Sequence, residues 1–298
     1  MSGARTLPRY PIYVPSKGRP NSQTARFLTA DRVPFRLVVE EQEADQYRER
    51  WPEAEVLVLP FRDQGTVVPA RNWIADHAAA EGHARHWQLD DNLWSIRRLW
   101  RGRRMKVHSG VGLRVCEDLT DRYENVAVSG LNYLMFVQDT TPVPFYVNVH
   151  VYSCSLIDHT LGFRWRGRYN EDTDLCLQVL AAGWCTIALN AFMCHKQRTM
   201  TQGGGNTTEL YGGDGRAHMA RALERRWPHV VETRRRFSRP QHVIRDAWRG
   251  FDTPLVRRTD LDWNALPPVD EYGLELVAHA PFRDPRTAAI YHDWHAAE

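Results

Sequence analysis

The chain has 298 residues, 43% of them hydrophobic, so it can bury a large core and fits one elaborated domain or a domain with an appendage. No run of about 18 apolar residues occurs and residues 1–8 lack a signal-peptide apolar region, which predicts a soluble, cytoplasmic protein with no membrane partner. The five cysteines form no CxxC pair, which argues against a zinc ribbon or a disulfide framework and predicts buried, reduced thiols.

The net charge of +3 conceals an uneven distribution of basic residues. Only three of the 39 basic residues are lysines, and residues 216–258 carry 12 arginines against four carboxylates, a local balance of +8 that leaves −5 for the rest. Arginine pairs with phosphates through its planar guanidinium group, so this block predicts a polyanionic partner such as a nucleic acid. A solvated helical face in an arginine-rich protein is the alternative.

Short apolar strands alternate with helices along the first 90 residues. The predicted strands cover residues 10–14, 36–40, 56–60, a segment ending at 89, and then 126–129, 134–137, 145–152 and 186–193. The predicted helices cover residues 21–30, 42–51, 70–78, about 170–182 and 215–227. The early alternation predicts an α/β fold with a mainly parallel sheet flanked by helices, and the later strands indicate an antiparallel addition.

Charged and polar side chains gather where the early strands end, which is where α/β sheets bind ligands. They are Pro15, Ser16, Lys17 and Arg19 after the first strand, Glu40 after the second, Arg71 at the start of the third helix, and Gln88, Asp90 and Asp91 at the end of the fourth strand. A basic residue in the first turn opposes the helix dipole, so a bound anion would account for Arg71, although a merely exposed arginine is also open. The coincidence predicts a nucleotide-diphosphate site.

Asp90, Asp91 and Asn92 place hard oxygen ligands at a strand end, which suits Mg²⁺ or Mn²⁺ carrying a diphosphate. The same residue types also occur in turns and helix caps, and that interpretation stays open. His195 ends a later strand and could add a neutral nitrogen, although a strand-end histidine is more often structural. The glycines at 203–205 predict either a flexible lid or a plain linker.

Residues 163–177 combine aromatic and basic side chains with an acidic helix start that contains Asp172. A carboxylate at a helix start is usually a favourable partner of the helix dipole. Asp172 nevertheless comes from a loop where an acceptor molecule could bind.

The order of four motifs resembles that of inverting GT-A glycosyltransferases: ARN at 70–72, LDDN at 89–92, NEDTDL at 170–175, and the strand-end His195. PIYVPSKGR at 11–19 together with WQLDDN at 87–92 looks more narrowly like the TET-associated glycosyltransferases of bacteriophages. The likeness covers about residues 10–200. It implies a GT-A, Rossmann-like mixed sheet in residues 1–205, followed by a basic helical and irregular extension over 206–298 that packs on this core.

The resemblance implies a metal-dependent, inverting glycosyltransferase that moves a hexose from a nucleotide sugar, expected to be a UDP-sugar, to the hydroxyl of 5-hydroxymethylcytosine in DNA. For a phage-encoded enzyme, the compartment would be the host cytoplasm. One alternative is a GT-A enzyme that acts on a protein, lipid or small-molecule hydroxyl. Another is a DNA-binding protein with an inactive GT-A fold. A sugar-phosphate nucleotidyltransferase is disfavoured, because no extended Gly-rich loop follows the first strand.

The resemblance also implies roles for individual residues. Asp90 would contact the ribose or the metal, Asp91 would ligate the metal, His195 would approach the metal or the diphosphate, and Asp172 would be the general base. Many relatives have a third Asp where this chain has Asn92, which is a poorer ligand.

The remaining assignments concern the leaving group and the acceptor. Arg71 and Lys17 would neutralise the leaving diphosphate. The acceptor side would be formed by Trp165 or Tyr169 stacking on a flipped base, by Glu171, and by Arg225, Arg234, Arg235 and Arg236 on the phosphates.

Overall fold

A computed structural model gives the structure of the protein and describes residues 6–62, 65–141, 143–196, 215–236, 239–245 and 250–274. The strands are β1 (Ile12–Pro15), β2 (Arg36–Val39), β3 (Glu55–Val58), β4 (Arg85–Leu89), β5 (Leu93–Trp100), β6 (Arg103–Lys106), β7 (Val126–Tyr133), β8 (Phe145–Val147), β9 (Cys154–Asp158), β10 (Cys185–Lys196), β11 (Val231–Arg236) and β12 (Arg239–Ile244). The α-helices are α1 (Gln23–Ala30), α2 (Ala44–Arg50), α3 (Val68–Ala80), α4 (Ser109–Thr120), α5 (Glu171–Ala181) and α6 (Gly215–Arg226).

In the described part of the chain, β1 to β10 form one mixed sheet in the order β3-β2-β1-β4-β9-β7-β10-β5-β6, with β8 beside β10. The first four strands are parallel to one another, as predicted. β9 is antiparallel to β4 and to β7, and β10 is parallel to β7. β10 therefore runs in the same direction as β4, so the carboxyl ends of these two distant strands lie at one edge of the sheet.

Helices cover both faces of the sheet because alternate residues of each strand point to opposite sides. Ile12 and Val14 of β1 join a core with α1, α2 and α4, whereas Tyr13 packs with Ile74 and Ala78 of α3. A further core contains α5 residues such as Leu175. The predicted α/β class with a large, helix-flanked sheet is confirmed.

Several local predictions were wrong. Residues 134–137 form a turn in which Met135 and Phe136 are exposed, and the strand predicted over 145–152 stops at Val147 because Asn148 has a positive φ of 56°. The helix predicted over 21–30 begins at Gln23, with Ser22 as its N-cap. The β5–β6 hairpin, α4 and β9 were not predicted at all. The predicted glycine lid lies outside the described residues.

The described part of the C-terminal extension contains the predicted helix, here α6, and a β11–β12 hairpin that was not predicted. Leu223 of α6 and Val231 of β11 pack on Leu177 of α5, so the extension rests on the sheet domain through that helix. The fully buried Asp174 of α5 accepts a 2.7 Å hydrogen bond from the indole of Trp227. The boundary at residue 205 stays a prediction, since residues 197–214 are outside the described ranges.

The five cysteines are buried and unpaired, in agreement with the prediction of buried thiols. Within the described ranges, every helix is too short or too polar to cross a membrane.

Candidate active site

The backbone of Asp90 and Asp91 is fixed by the first turn of α1. The Ser22 hydroxyl donates to the Asp91 carbonyl at 2.9 Å while also capping α1, and the Thr24 hydroxyl donates to the Asp90 carbonyl at 2.5 Å. Thr24 Oγ1 in turn accepts from the Leu93 amide at 3.0 Å. A helix N-terminus therefore holds the short loop between β4 and β5 and sets the directions of both carboxylates.

Three side chains surround the Asp90 carboxylate. Oδ1 lies 3.0 Å from Arg71 Nη2, and Oδ2 accepts from Lys196 Nζ at 2.7 Å and from Ser153 Oγ at 2.5 Å. Burial opposes ionisation, but Lys196 and Arg71 outweigh it and hold the pKa of Asp90 well below its usual range. Asp90 is therefore an ionised group enclosed by cations at the carboxyl edge of the sheet.

Arg71 joins the two halves of the site. Its guanidinium group contacts Asp90 and lies 3.7 Å from Asp172 Oδ1 and 3.9 Å from Glu171 Oε1. Burial would lower the pKa of Arg71, but Asp172, Asp90 and Glu171 raise it above the usual arginine value. The predicted donor-side carboxylate and the predicted base thus share one buried cation.

Asp172 and Glu171 begin α5, directly after Asn170 with its positive φ of 54°. Burial raises the pKa of both carboxyl groups, and the neighbouring charge of Asp172 raises that of Glu171 further. Trp165 Nε1 lies 3.4 Å from Asp172 Oδ1, a long hydrogen bond. The side chains of Glu171 and Asp172 are each 20% exposed to solvent, so the pair can reach a substrate. A carboxyl group with a raised pKa suits a general base.

Asn72, the neighbour of Arg71, fixes the loop that carries the indole. Its side-chain amide donates to the Trp165 carbonyl at 2.8 Å, and its side-chain oxygen accepts from the Trp165 amide at 3.0 Å. Trp165 is only 2% exposed. The predicted stacking of Trp165 on a base is therefore wrong, because this indole is packed against Asp172 and below Arg71. Tyr169 is half-buried, with Arg168 over its ring.

The turn after β1 contributes the second group of contacts. Asp91 accepts from Arg19 Nη1 at 2.8 Å and from the Ser16 hydroxyl at 2.7 Å. Pro15 ends β1 ahead of this turn, and Lys17 Nζ lies 4.0 Å from the buried carboxylate of Glu40. Ser16 and Arg19 thus contact Asp91 directly, and Lys17 lies in the same turn near Glu40. Their role in binding a donor stays a prediction.

Gln88 does not face the site. It is fully buried, its side-chain oxygen accepts from Arg71 Nη1 at 3.2 Å, and its side-chain amide donates to the Arg71 carbonyl at 3.0 Å. Gln88 therefore orients Arg71, and the predicted direct contact with the donor is wrong.

The residues predicted to ligate a metal do not form a preformed metal site. The described ranges hold no group of three His, Cys, Asp or Glu side chains suited to a metal ion. The oxygens of Asp90 and Asp91 already accept from cations and hydroxyls. His195 lies opposite Ser95 in the sheet, with its ring 6.5 Å from that of Trp94. Asn92 Oδ1 is buried with no hydrogen-bond partner among the described residues, but one amide oxygen does not fit a divalent ion.

The predicted DNA-contacting arginines lie in the extension. Arg225, Arg234 and Arg235 are exposed, and Arg234 pairs with Glu232 of its own strand. The side chain of Arg236 lies outside the described part. The arginine block is therefore partly neutralised where it is described.

Sequence reasoning missed Lys196, Ser153 and Tyr133 as site residues. Lys196 Nζ donates to Ser153 Oγ at 2.6 Å as well as to Asp90, and the Tyr133 hydroxyl lies 2.5 Å from the same serine oxygen. Lys196 was visible as the cation that ends β10. Its contact with Asp90 spans 106 residues and required the sheet order.

The fold and the site together define an α/β protein with paired cations and carboxylates at the carboxyl edge of its sheet. A family model for TET-associated glycosyltransferases matches residues 10–205, about two thirds of the chain. The chain belongs to this family and is a glycosyltransferase, an enzyme of the transferase class.

The other comparisons add little. No curated protein matches. Among solved structures, mannose-1-phosphate geranyltransferase from Thermus thermophilus has 14% identity and a TM-score of 0.29, with 74% of this chain and 64% of that chain covered. Mannose-6-phosphate isomerase from Helicobacter pylori has 10% identity and a TM-score of 0.30, with 84% and 94% covered. The GT-A assignment stays a prediction.

Proposed function

We propose that the protein transfers a hexose from a nucleotide sugar, with a UDP-sugar as donor, to the hydroxyl group of 5-hydroxymethylcytosine in DNA. The family membership supports sugar transfer and a modified DNA base as acceptor. The single observation that carries the site assignment is the position of Arg71, 3.0 Å from Asp90 and 3.7 Å from Asp172. This contact supports a donor site and an acceptor base that lie side by side.

On the donor side, positive charge must meet the charge that grows on the departing diphosphate. Arg71, Lys196 and Arg19 supply it from the protein, and Lys17 stands at the rim of the same turn. Arg71 is only 2% exposed and its Nε lies 3.9 Å from Glu171 Oε1, so its charge acts on the diphosphate at a distance and not through a direct contact. No step of this mechanism passes through a metal ion.

On the acceptor side, Asp172 takes the proton of the hydroxymethyl group while the oxygen of that group attacks the anomeric carbon. The new carbon–oxygen bond forms on the face opposite the diphosphate, and the electron pair of the breaking bond leaves with the diphosphate. Trp165 and Arg71 keep the Asp172 carboxylate aimed at one position. The product carries the inverted anomeric configuration. Because DNA and nucleotide sugars meet in the cytoplasm, the reaction belongs to that compartment.

The test is mass spectrometry of duplex oligonucleotides after incubation with a panel of UDP-sugars. We expect one hexose per 5-hydroxymethylcytosine and none on a matched duplex with cytosine. Release of UDP without any gain in DNA mass would refute the proposed acceptor while leaving the donor site standing. Lack of both would refute the whole proposal.

A further inference from the structure

The β5–β6 hairpin carries a dense positive charge beside the active site. Residues 93–106 contain six cations and no carboxylate. The six are Arg97, Arg98, Arg101, Arg103, Arg104 and Lys106. The hairpin thus has a charge of +6 in 14 residues, denser than the +8 spread over 43 residues of the C-terminal block. β6 is the last strand of the sheet, and all four of its residues are exposed.

The pairing within the hairpin does not explain these charges. Arg97 lies directly opposite Lys106, and like charges at opposite positions of an antiparallel pair are destabilising. In the part of the chain that the structure describes, none of the six forms a salt bridge with a carboxylate. Arg98 is committed to the Gly273 carbonyl and Arg104 to the backbone of residues 134 and 137. Arg97, Arg103 and Lys106 form a cationic strip along this edge of the sheet. Arg97, which also donates to the Arg104 carbonyl at 3.0 Å, shares one face of the hairpin with Lys106, and Arg103, opposite Trp100, lies on the other face. A polyanion at this edge would relieve the repulsion between Arg97 and Lys106.

Exposed aromatic side chains lie among these cations. Trp94 is 47% exposed near the start of β5, and Trp100 is 39% exposed near its end. Phe136, 51% exposed, belongs to the turn that Arg104 contacts. Cations that follow a phosphate backbone, together with flat rings that stack on bases, are the combination that nucleic-acid-binding surfaces use. An acidic protein would match the charge but would give the exposed rings no stacking partner.

The hairpin leads away from the catalytic residues. Leu93, its first residue, pairs with Lys196, and Ser95 pairs with His195. β5 is antiparallel to β10, so it starts at the edge of the sheet that holds Asp90 and runs away from it. Arg97 is four residues along the strand from Leu93, roughly 13 Å at about 3.3 Å per residue. A strand of nucleic acid with one base at Asp172 can therefore reach this strip with phosphates a few nucleotides away.

We propose that the β5–β6 hairpin is the surface that holds the acceptor DNA. Arg97, Arg103 and Lys106 bind backbone phosphates, and Trp94, next to the site, stacks on a base or sugar close to the modified nucleotide. This proposal rests on the proposed function for the identity of the acceptor. It assigns the main grip on DNA to the sheet edge instead of to the C-terminal arginines.

The test measures binding of a fluorescently labelled duplex with 5-hydroxymethylcytosine by anisotropy over a series of salt concentrations. The variant Arg103→Ala/Lys106→Ala removes two exposed cations that make no ion pair in the described structure. Because each lost phosphate contact reduces the slope of log K against log salt by about 0.9, we expect a slope smaller by about 2. Trp94→Ala should weaken binding about tenfold with its salt slope unchanged, since stacking releases no counterions.

The matched comparison is a rival variant in the extension, Arg225→Ala/Arg235→Ala, which removes the same charge. It should keep most of the wild-type slope of log K against log salt. UDP affinity and melting temperature, measured on every variant, show that each is folded. The proposal is overturned if the hairpin variant binds like the wild type, or if the rival variant loses the slope in its place. Equal competition by polyglutamate at matched charge would overturn it in favour of an acidic protein.

The same experiment separates this inference from the proposed function. If the wild type transfers sugar to DNA and the hairpin variant binds DNA unchanged, the hairpin assignment alone is refuted. If the wild type neither binds nor modifies DNA, both the proposed acceptor and the proposed DNA-binding role of the hairpin are refuted.

Discussion

Replacing Lys196 with methionine tests the charge arrangement around Asp90, because it removes the ammonium group and keeps much of the side-chain volume. Lys196 Nζ lies 2.7 Å from Asp90 Oδ2, and the two side chains are 20% and 23% exposed. At this distance the Coulomb attraction is about 6 kcal/mol for an effective dielectric constant of about 20. Desolvation and partial exposure offset a large part of it. We expect Lys196→Met to lower the free energy of unfolding by about 2–3 kcal/mol.

A loss of that size corresponds to a melting temperature lower by about 4–12 °C, at about 2–4 °C per kcal/mol for a protein of this size. The pH dependence has a definite sign. Because the pKa of Asp90 is depressed in the folded protein, its stabilisation is present above the unfolded value of about 3.9 and is lost as pH falls through the folded value. The difference in the free energy of unfolding between Lys196→Met and the wild type should therefore be largest at pH 7 and should shrink below about pH 4.

The assay combines thermal unfolding with UDP titration by calorimetry. Since Lys196 supplies positive charge on the donor side, UDP affinity should fall on the order of tenfold. Lys106→Met is the matched control, because it removes the same charge from an exposed strand position without an ion pair in the described structure. UDP affinity should not change in the control, and its stability should not fall, because the substitution only removes a charge that repels Arg97. Unchanged stability and unchanged UDP affinity in Lys196→Met would refute the reasoning.

Three further predictions concern the base, the extension and the metal. Glu171→Gln should leave the acid limb of the pH–rate profile unchanged and above about pH 4, because burial raises the pKa of Asp172 and Glu171, with a pKa of about 7, is already neutral where Asp172 titrates; a limb that moves in the variant, or a wild-type limb at or below pH 4, contradicts this. Asp174→Ala leaves the Trp227 indole and the Arg166 guanidinium without their partner. The free energy of unfolding should fall by about 3–5 kcal/mol, seen in calorimetry as a melting temperature lower by on the order of 10 °C. A shift under 2 °C would mean that this carboxylate does not anchor the extension. The turnover rate should be unchanged by EDTA because protein cations surround the donor side. Loss of activity that Mn²⁺ restores would show that the mechanism requires a metal ion.

The first three strands could be predicted because they are short apolar runs, buried in β1 and β2 and half-buried in most of β3. β4 is fully buried but mixed in sequence, and it was located by the acidic pair Asp90 and Asp91 that follows Leu89. The donor turn could be located because the carboxyl ends of parallel strands meet at one edge.

The later elements escaped prediction for physical reasons. β5 has arginines within it, because its end and its partner β6 lie at the exposed edge of the sheet. Gly110 and Gly112 argue against a helix, yet α4 contains both because it packs closely: a Cβ at Gly110 would lie 2.5 Å from the Thr6 carbonyl, and one at Gly112 would collide with Ile96. Each signal depends on a neighbour distant in the sequence.

The contacts inside the site were equally invisible in the sequence. An indole in a loop of arginines indicates an exposed stacking surface, but Trp165 is buried because Asn72 holds its backbone from another helix. Gln88 precedes the acidic pair by two residues and points into the core behind Arg71. Sequence order identified which residues gather at the edge. Only the sheet order and the packing showed which of them face a substrate.

The central claim is that Asp172 is the base for sugar transfer at a donor site built around Asp90 and Arg71. The most direct test is single-turnover transfer of hexose to a hydroxymethylated duplex by the Asp172→Asn variant, with UDP affinity measured on the same preparation. The account predicts transfer slower by about 10²–10⁴-fold with UDP affinity within a few-fold of the wild type. Near-normal transfer by Asp172→Asn would contradict it.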